Sequence, residues 1–446
     1  MYMKKFFILL IFFTFISKNV FSLIIRDSEI ENLIKEIVEP IAESAGQDNK
    51  NIKIYILNED TLNAFVTPGQ KIFIFSGLIT ETKNPNELEG VIAHEIGHIT
   101  GKHHFKIYDQ LAKSRVITTI GFILGGAAAA ITGDTDAFAA ISGGAISAGQ
   151  SSFLSFSRVQ EGSADRAAYK FLNESNKSIC GMVSFFEVLE KYQTNFKKNA
   201  YSQSHPLTRE RIDDARNAAR NENCDNKKKE ITDKSKMSIE ERYKFMQAKI
   251  LGFTNPSVIV NSINNNDKFN DEQKKYALSI ANYKLFNFDL ANKLINNLII
   301  KYPNNPYFYE LKAQMYRENG FLDKSLKNYI IVNKLLPDDP LIQIELAHTL
   351  INIDNKNAIN KAIKFLNKAK KKENDNDKLW YLLSVAHGKN NEMGKSKYSS
   401  AYASYLKGDD VMALNFITRA KKITKKNTKE WDELEDLEYK INSKKK

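Results

Sequence analysis

His94-Glu95-Ile96-Gly97-His98 is where residue type and spacing most directly suggest chemistry. In a helix, residues four apart lie about 40° apart around the axis, so both imidazoles leave one face a turn apart and can share one Zn²⁺. Glu95 projects near that face. It can take a proton from a water whose pKa the metal lowers to about 7 in comparable sites. A surface helix with two ordinary histidines would look the same locally, but five of the seven histidines fall between residues 94 and 205, which argues for a site.

Zinc needs a third protein ligand, and two residues offer one. His104, with Gly101, completes HExxHxxGxxH, in which the glycine ends the helix so that the chain can bring a third histidine back. Were the helix to continue, His104 would lie about 280° round from His94 and out of reach. The alternative is Glu161, in the segment Ser157-Arg158-Val159-Gln160-Glu161-Gly162-Ser163-Ala164-Asp165. A helical carboxylate from a later segment, four residues before an Asp that can orient a ligand imidazole, is the gluzincin arrangement. Glu161 is preferred, because no Ser-x-Met turn follows where the first pattern would need it. His103 and His104 then read as a solvated helix end, and His348 and His387 as packing residues. On its own, His205 before Pro206 is a loop residue.

These groups need elements to position them. Ile30, Leu33, Ile34, Ile37, Val38 and Ile41 recur at helical spacing and predict an amphipathic helix from about Ser28 to Ser44. Alternating Ile52, Ile54 and Ile56 suggest a strand, and a turn at Thr67-Pro68-Gly69 leads to a second, Lys71 to Phe75. From Asn86 the pattern is helical and carries the histidines. Residues 116–149 are rich in Ala, Gly and Ile, with Asp134 and Asp136 the only charges. Neither half reaches 18 unbroken apolar residues, which favours a helical hairpin or lid over membrane spans and leaves a membrane-surface contact open.

The chain has 446 residues, enough for about two or three domains. Lys4 and Lys5 precede an apolar run from Phe6 to Ile16, followed by small-residue positions at Val20 and Ser22, so residues 1–22 read as a secretory signal peptide. The catalytic domain is expected over 23–225, a polar linker over 226–238 and a repeat domain over 239–446. In that last part Pro303 and Pro337, Ala291 and Ser325, and Ala313 and Ala347 are each 34 residues apart, while Tyr329 to Leu366 and Val332 to Ala369 take a step of 37. This pattern resembles tetratricopeptide repeats, stacked helical hairpins with small residues where the helices touch. Ala413, Ile417 and Ala420 read as the second helix of a last unit. The net charge of +12 is concentrated in lysine runs such as Lys227–Lys229 and Lys444–Lys446, read as solvated faces. Charge is the only argument for nucleic-acid binding, and export removes most opportunity for it. Cys180 and Cys224 could pair in an oxidising compartment, or remain two buried thiols.

Four separated segments resemble the BepA group of periplasmic metallopeptidases, related to HtpX and the CAAX prenyl proteases. They are Asn63 to Ile74, Gly90 to His98, Ser157 to Asp165, and Ser204-His205-Pro206-Leu207-Thr208-Arg209-Glu210-Arg211-Ile212. The resemblance implies a mainly α chain: a zincin-type α+β catalytic domain with a small sheet, then an α-solenoid of tetratricopeptide-like hairpins. It implies one Zn²⁺ per chain held by His94, His98 and Glu161, with Asp165 orienting a ligand imidazole and Arg211 close by. It also implies that His205 takes the fourth zinc position in a closed resting form. Ser163, where relatives often carry a second acid, and Gly101 depart from the pattern.

The expected activity is zinc-dependent endopeptidic hydrolysis in the periplasm with Glu95 as base. Unfolded or misassembled proteins would lie along the strand Lys71, Ile72, Phe73, Ile74, Phe75, adding to an exposed sheet edge. The repeats would recruit substrates or an outer-membrane assembly complex. A different class of function, a repeat-based chaperone or adaptor whose metal site is silenced by His205, fits the same residues.

Overall fold

The computed structural model describes residues 24–47, 52–67, 69–103, 157–192, 201–222, 224 and 237–443. The expected signal peptide, His104, the Ala/Gly-rich stretch 116–149 and most of the expected linker lie outside these residues. Among the described residues no helix is long and apolar enough to cross a membrane. They divide into two compact units, one taking in Ile30–Ile250 and the other Leu251 onward together with Arg26–Glu29.

The first unit holds a four-stranded sheet, β1 (Ile24–Ile25), β2 (Lys53–Leu57), β3 (Ala64–Thr67) and β4 (Lys71–Phe75), in the order β1-β2-β4-β3. β4 pairs parallel with β2, Ile54 opposite Ile72, and antiparallel with β3, Phe65 opposite Phe73. The Lys71–Phe75 strand is therefore interior, contrary to the expectation of an exposed edge. Its main-chain donors and acceptors face a neighbour on both sides, and among the described residues the outer strands are β1 and, next to β4, β3. Alternation places Ile72 and Ile74 of β4 in the core, while Phe73 stacks between Tyr55 and Phe65 on the other face, with ring centroids 5.0 Å apart in each pair.

Helix α1 (Ser28–Ser44) buries all six apolar positions read from its periodicity. After the short α2 (Ser76–Glu81) comes α3 (Pro85–Thr100), which carries the histidines. Asn84 caps α3 by accepting from Glu87 N, Pro85 occupies the first turn, and Glu87 accepts in return from Lys83 N. Residues Glu87 to Ile99 are all buried, so this helix runs through the core with no solvent face. Against it lies α4 (residues 157–174). The two backbones approach closely because residue 97 has no side chain: a Cβ there would sit 2.7 Å from the Ala164 carbonyl oxygen. Then follow α5 (Cys180–Lys191), a single turn α6 (Tyr201–Ser204), and α7 (Arg209–Ala218), capped by Thr208. Cys180, at the start of α5, is disulfide-bonded to Cys224, which decides between the two expectations for these cysteines.

Helix α8 (Ile239–Thr254) spans the division between the units, later than the expected boundary at 239. Tyr243, Met246 and Ile250 are buried in the core of the first unit. The Tyr243 hydroxyl lies 2.5 Å from Thr82 Oγ1, and Gln247 donates to the carbonyls of Ile79 and Thr82 at the end of α2.

The second unit is all helical. After α9 (Pro256–Ser262) come four hairpins: α10 and α11 (Asp271–Lys284, Phe288–Lys301), α12 and α13 (Pro306–Glu318, Leu322–Leu335), α14 and α15 (Pro340–Ile353, Lys356–Ala369), α16 and α17 (Asp377–Lys389, Met393–Leu406). Helices α18 (Asp410–Lys421) and α19 (Lys429–Ser443) follow. The repeat positions Ala291, Ser325, Ala313, Ala347, Tyr329, Leu366, Val332 and Ala369 are all fully buried, as the 34- and 37-residue steps require. Ala413, Ile417 and Ala420 are buried on α18.

Candidate metal centre

Helices α3 and α4 bring His94, His98 and Glu161 together, and the segment after α6 adds His205. One donor atom from each lies within 4.8 Å of the others, and all four side chains are buried. His94 Nε2 is 3.0 Å from His98 Nε2 and 3.3 Å from His205 Nδ1. Glu161 spans the group, with Oε2 3.3 Å from His94 Nε2 and Oε1 3.3 Å from His98 Nε2. His205 Nδ1 is 3.3 Å from both Glu161 oxygens.

These separations fit a tetrahedral ion, whose ligands lie about 3.3 Å apart when each is about 2.0–2.1 Å from the metal. The proton positions fit as well. Asp165 Oδ1 is 2.8 Å from His94 Nδ1, and an ionised carboxylate only accepts, so Nδ1 carries a hydrogen and Nε2 is the nitrogen left to give a lone pair to a bound cation. Converging lone pairs repel unless a cation lies between them. Glu95 supports the same reading, being buried with neither carboxylate oxygen hydrogen-bonded. With the three buried carboxylates of Glu95, Glu161 and Asp165 ionised against one guanidinium, that of Arg211, two negative charges remain for a divalent cation to balance.

Arg211 ties the group together. Its Nε and Nη2 donate to the two oxygens of Asp165 at 2.6 and 2.9 Å, its Nη1 lies 3.0 Å from Glu161 Oε2, and Nη1 also donates to the Pro206 carbonyl at 2.9 Å. One side chain thus orients both carboxylates of α4 and the backbone beside His205.

The electrostatics follow from burial and these bonds. Burial opposes charge on His94, but hydrogen bonds to Asp165 and Glu161 outweigh it and hold the metal-free imidazole at about 9. On His98 burial prevails and takes the ring down to about 3. Burial alone would raise Asp165, yet His94 and Arg211 bring it to about 2. The surrounding imidazoles likewise keep Glu161 far below the carboxylate range despite its burial. Glu95 is pushed up by burial.

Two residues near the centre escaped the sequence reading. Tyr201 stacks on His205, ring centroids 4.6 Å apart, and its carbonyl accepts from His205 N at 2.7 Å; their four-residue spacing was the available signal. His103 is not a solvated helix end. It is 3% exposed, and its Nδ1 lies 2.9 Å from His98 Nδ1.

The profile of peptidase family M48 matches residues 28–219. The chain is 24% identical over 338 residues to the beta-barrel assembly-enhancing protease of Yersinia pestis, covering 74% of this chain and 66% of that one. With the protein of the same name from Escherichia coli K12 it shares 22% over 404 residues, covering 89% of this chain and 80% of the relative. The mitochondrial metalloendopeptidase OMA1 of Saccharomyces cerevisiae is 32% identical over 103 residues, 22% of this chain and 29% of its own length. The family match spans both helices that converge on the centre, and it marks residues 28–219 as a peptidase M48 domain, a metallopeptidase domain.

Proposed function

We propose that the chain is an exported zinc endopeptidase, with His94, His98 and Glu161 as metal ligands and Glu95 as the base. The observation that carries this reading is the convergence of three buried donor atoms at tetrahedral spacing beside an ionisable side chain with no hydrogen-bond partner. Zinc, when bound, polarises the scissile carbonyl and acidifies a water. Glu95 receives the proton of the attacking water on its carboxylate and delivers it to the leaving amine nitrogen. Asp165 holds the His94 ring through Nδ1, and Arg211 holds Asp165. The substrate extends along β3, which has one strand neighbour among the described residues and packs against α3. Backbone pairing of this kind favours unfolded segments.

His205 is the fourth ligand of a resting form. Its Nδ1 lies among the other donors, and its Nε2 is 3.4 Å from Glu95 Oε1, where an attacking water would need access to the base. Cleavage therefore requires the segment after α6 to withdraw. The same placement favours a second reading, a chaperone or adaptor in which His205 keeps the centre silent.

Two features support export to the periplasm: the N-terminal apolar run and the Cys180–Cys224 disulfide, which belongs to an oxidising compartment. The name shared by the two long relatives concerns β-barrel assembly, and we carry it over as the substrate class: misassembled envelope proteins, recruited by the hairpin array directly or through an outer-membrane assembly complex. Glu95→Gln should lower cleavage of an unfolded protein such as casein by about 10²–10⁴-fold while metal stays bound. An unchanged rate would overturn the mechanism. His205→Ala should raise cleavage above the parent; absence of cleavage in both would favour the adaptor.

A further inference from the structure

We infer that His103 is a positioning residue for the metal centre, accepting a hydrogen bond from the ligand His98, and that the Gly101-Lys102 helix ending exists to put it there. This rests on the reading of His98 as a ligand. His98 Nε2 faces His94 and Glu161, so its other nitrogen, Nδ1, must carry the hydrogen if Nε2 is to keep a lone pair for the metal. The atom opposite that hydrogen is His103 Nδ1, 2.9 Å away, with the two rings at 81° to each other.

The backbone is shaped for this contact. Helix α3 stops at Thr100, and Lys102 takes φ +54°, a conformation that reverses the chain within one residue and is unfavourable for a lysine. The reversal brings the His103 ring back over residue 101, so closely that a Cβ on Gly101 would lie 2.3 Å from His103 Nε2. Gly101 itself has φ −71° and ψ −10°, values that alanine adopts without strain. Glycine is required here by the ring and not by the backbone. The centre is consequently asymmetric: a carboxylate backs His94 and a neutral imidazole backs His98.

Zn²⁺ affinity of the full mature chain, measured by competition with a chromophoric chelator, tests the inference without using activity. His103→Leu should weaken binding about 10–100-fold. His103→Asn, whose amide oxygen can stand where Nδ1 stands, should recover to within about threefold of the parent. Gly101→Ala should weaken binding about 10-fold by displacing the ring, and should add nothing in the His103→Leu background, since the two changes remove one interaction. Unchanged affinity in both folded single variants, equal losses in the Leu and Asn variants, or additive losses in the double variant would each overturn the role of His103. Should His103→Leu fail to fold, Gly101→Ala and His103→Asn decide the matter on their own. A parent chain that takes up no Zn²⁺ would instead defeat the metal-site reading itself.

Discussion

Among helices α10 to α19, side chains that hydrogen-bond across helices lie 12 to 35 positions apart, as Arg317 with Tyr329, Ser325 with Thr349, and Tyr283 with Glu318 do. Around the metal centre the separations run from 44 to 111, through His205 with Glu161, Arg211 with Asp165, His94 with Asp165, and His94 with His205. The repeats are close to one-dimensional, so each hairpin depends mainly on its neighbours. The centre joins α3, α4 and α7 through a few buried polar groups, each of which leaves others unpaired if removed. The first design suits an adjustable recruiting surface, and the second a fixed arrangement of donors.

The contrast sets the sizes of the expected effects. Arg211→Ala leaves Asp165 and Glu161 buried without their shared cation and should destabilise the protein by about 3–5 kcal/mol in denaturant titration. A loss under about 1 kcal/mol would mean that the centre is less interlocked than its geometry implies. Leu366→Ala removes a fully buried side chain from α15 and should cost about 2–4 kcal/mol. Faster hydrogen exchange should then be concentrated in α14, α15 and α16 and fade along the array; an even rise across all the hairpins would contradict the one-dimensional description.

Acid gives a smaller effect confined to the centre. Asp165 has a folded-state pKa of about 2 against an ordinary 3.8, so its contribution is fully present above pH 4 and is lost as pH falls toward 2. In the metal-free protein this amounts to about 2 kcal/mol. Asp165→Asn should flatten that part of the stability profile; the same slope in both proteins would assign it to other groups.

The same contrast explains what could be read from sequence. Helix α1, the His94–His98 helix and the buried repeat positions are local patterns, and periodicity exposes them. The place of Lys71–Phe75 inside the sheet depends on pairing with two other segments, which alternation within one strand does not encode. His103 follows a Gly-Lys pair and precedes another histidine, so it reads as solvated. Only the positive φ at Lys102 and the missing side chain at Gly101 turn it inward. Glu161 could be picked out because Asp165 follows it by one helical turn. Arg211 and His205 were legible only through resemblance, since nothing near them in the chain marks the partners they meet.

Metal content tests the central claim most directly, measured by elemental analysis on the purified mature chain, its Glu95→Gln variant and its Glu161→Gln variant. The account predicts one zinc ion per chain in the first two and a loss of at least about 10-fold in affinity in the third, because Glu95 is a base and Glu161 a ligand. Sub-stoichiometric metal in the parent chain, or full retention after the change at Glu161, would contradict it.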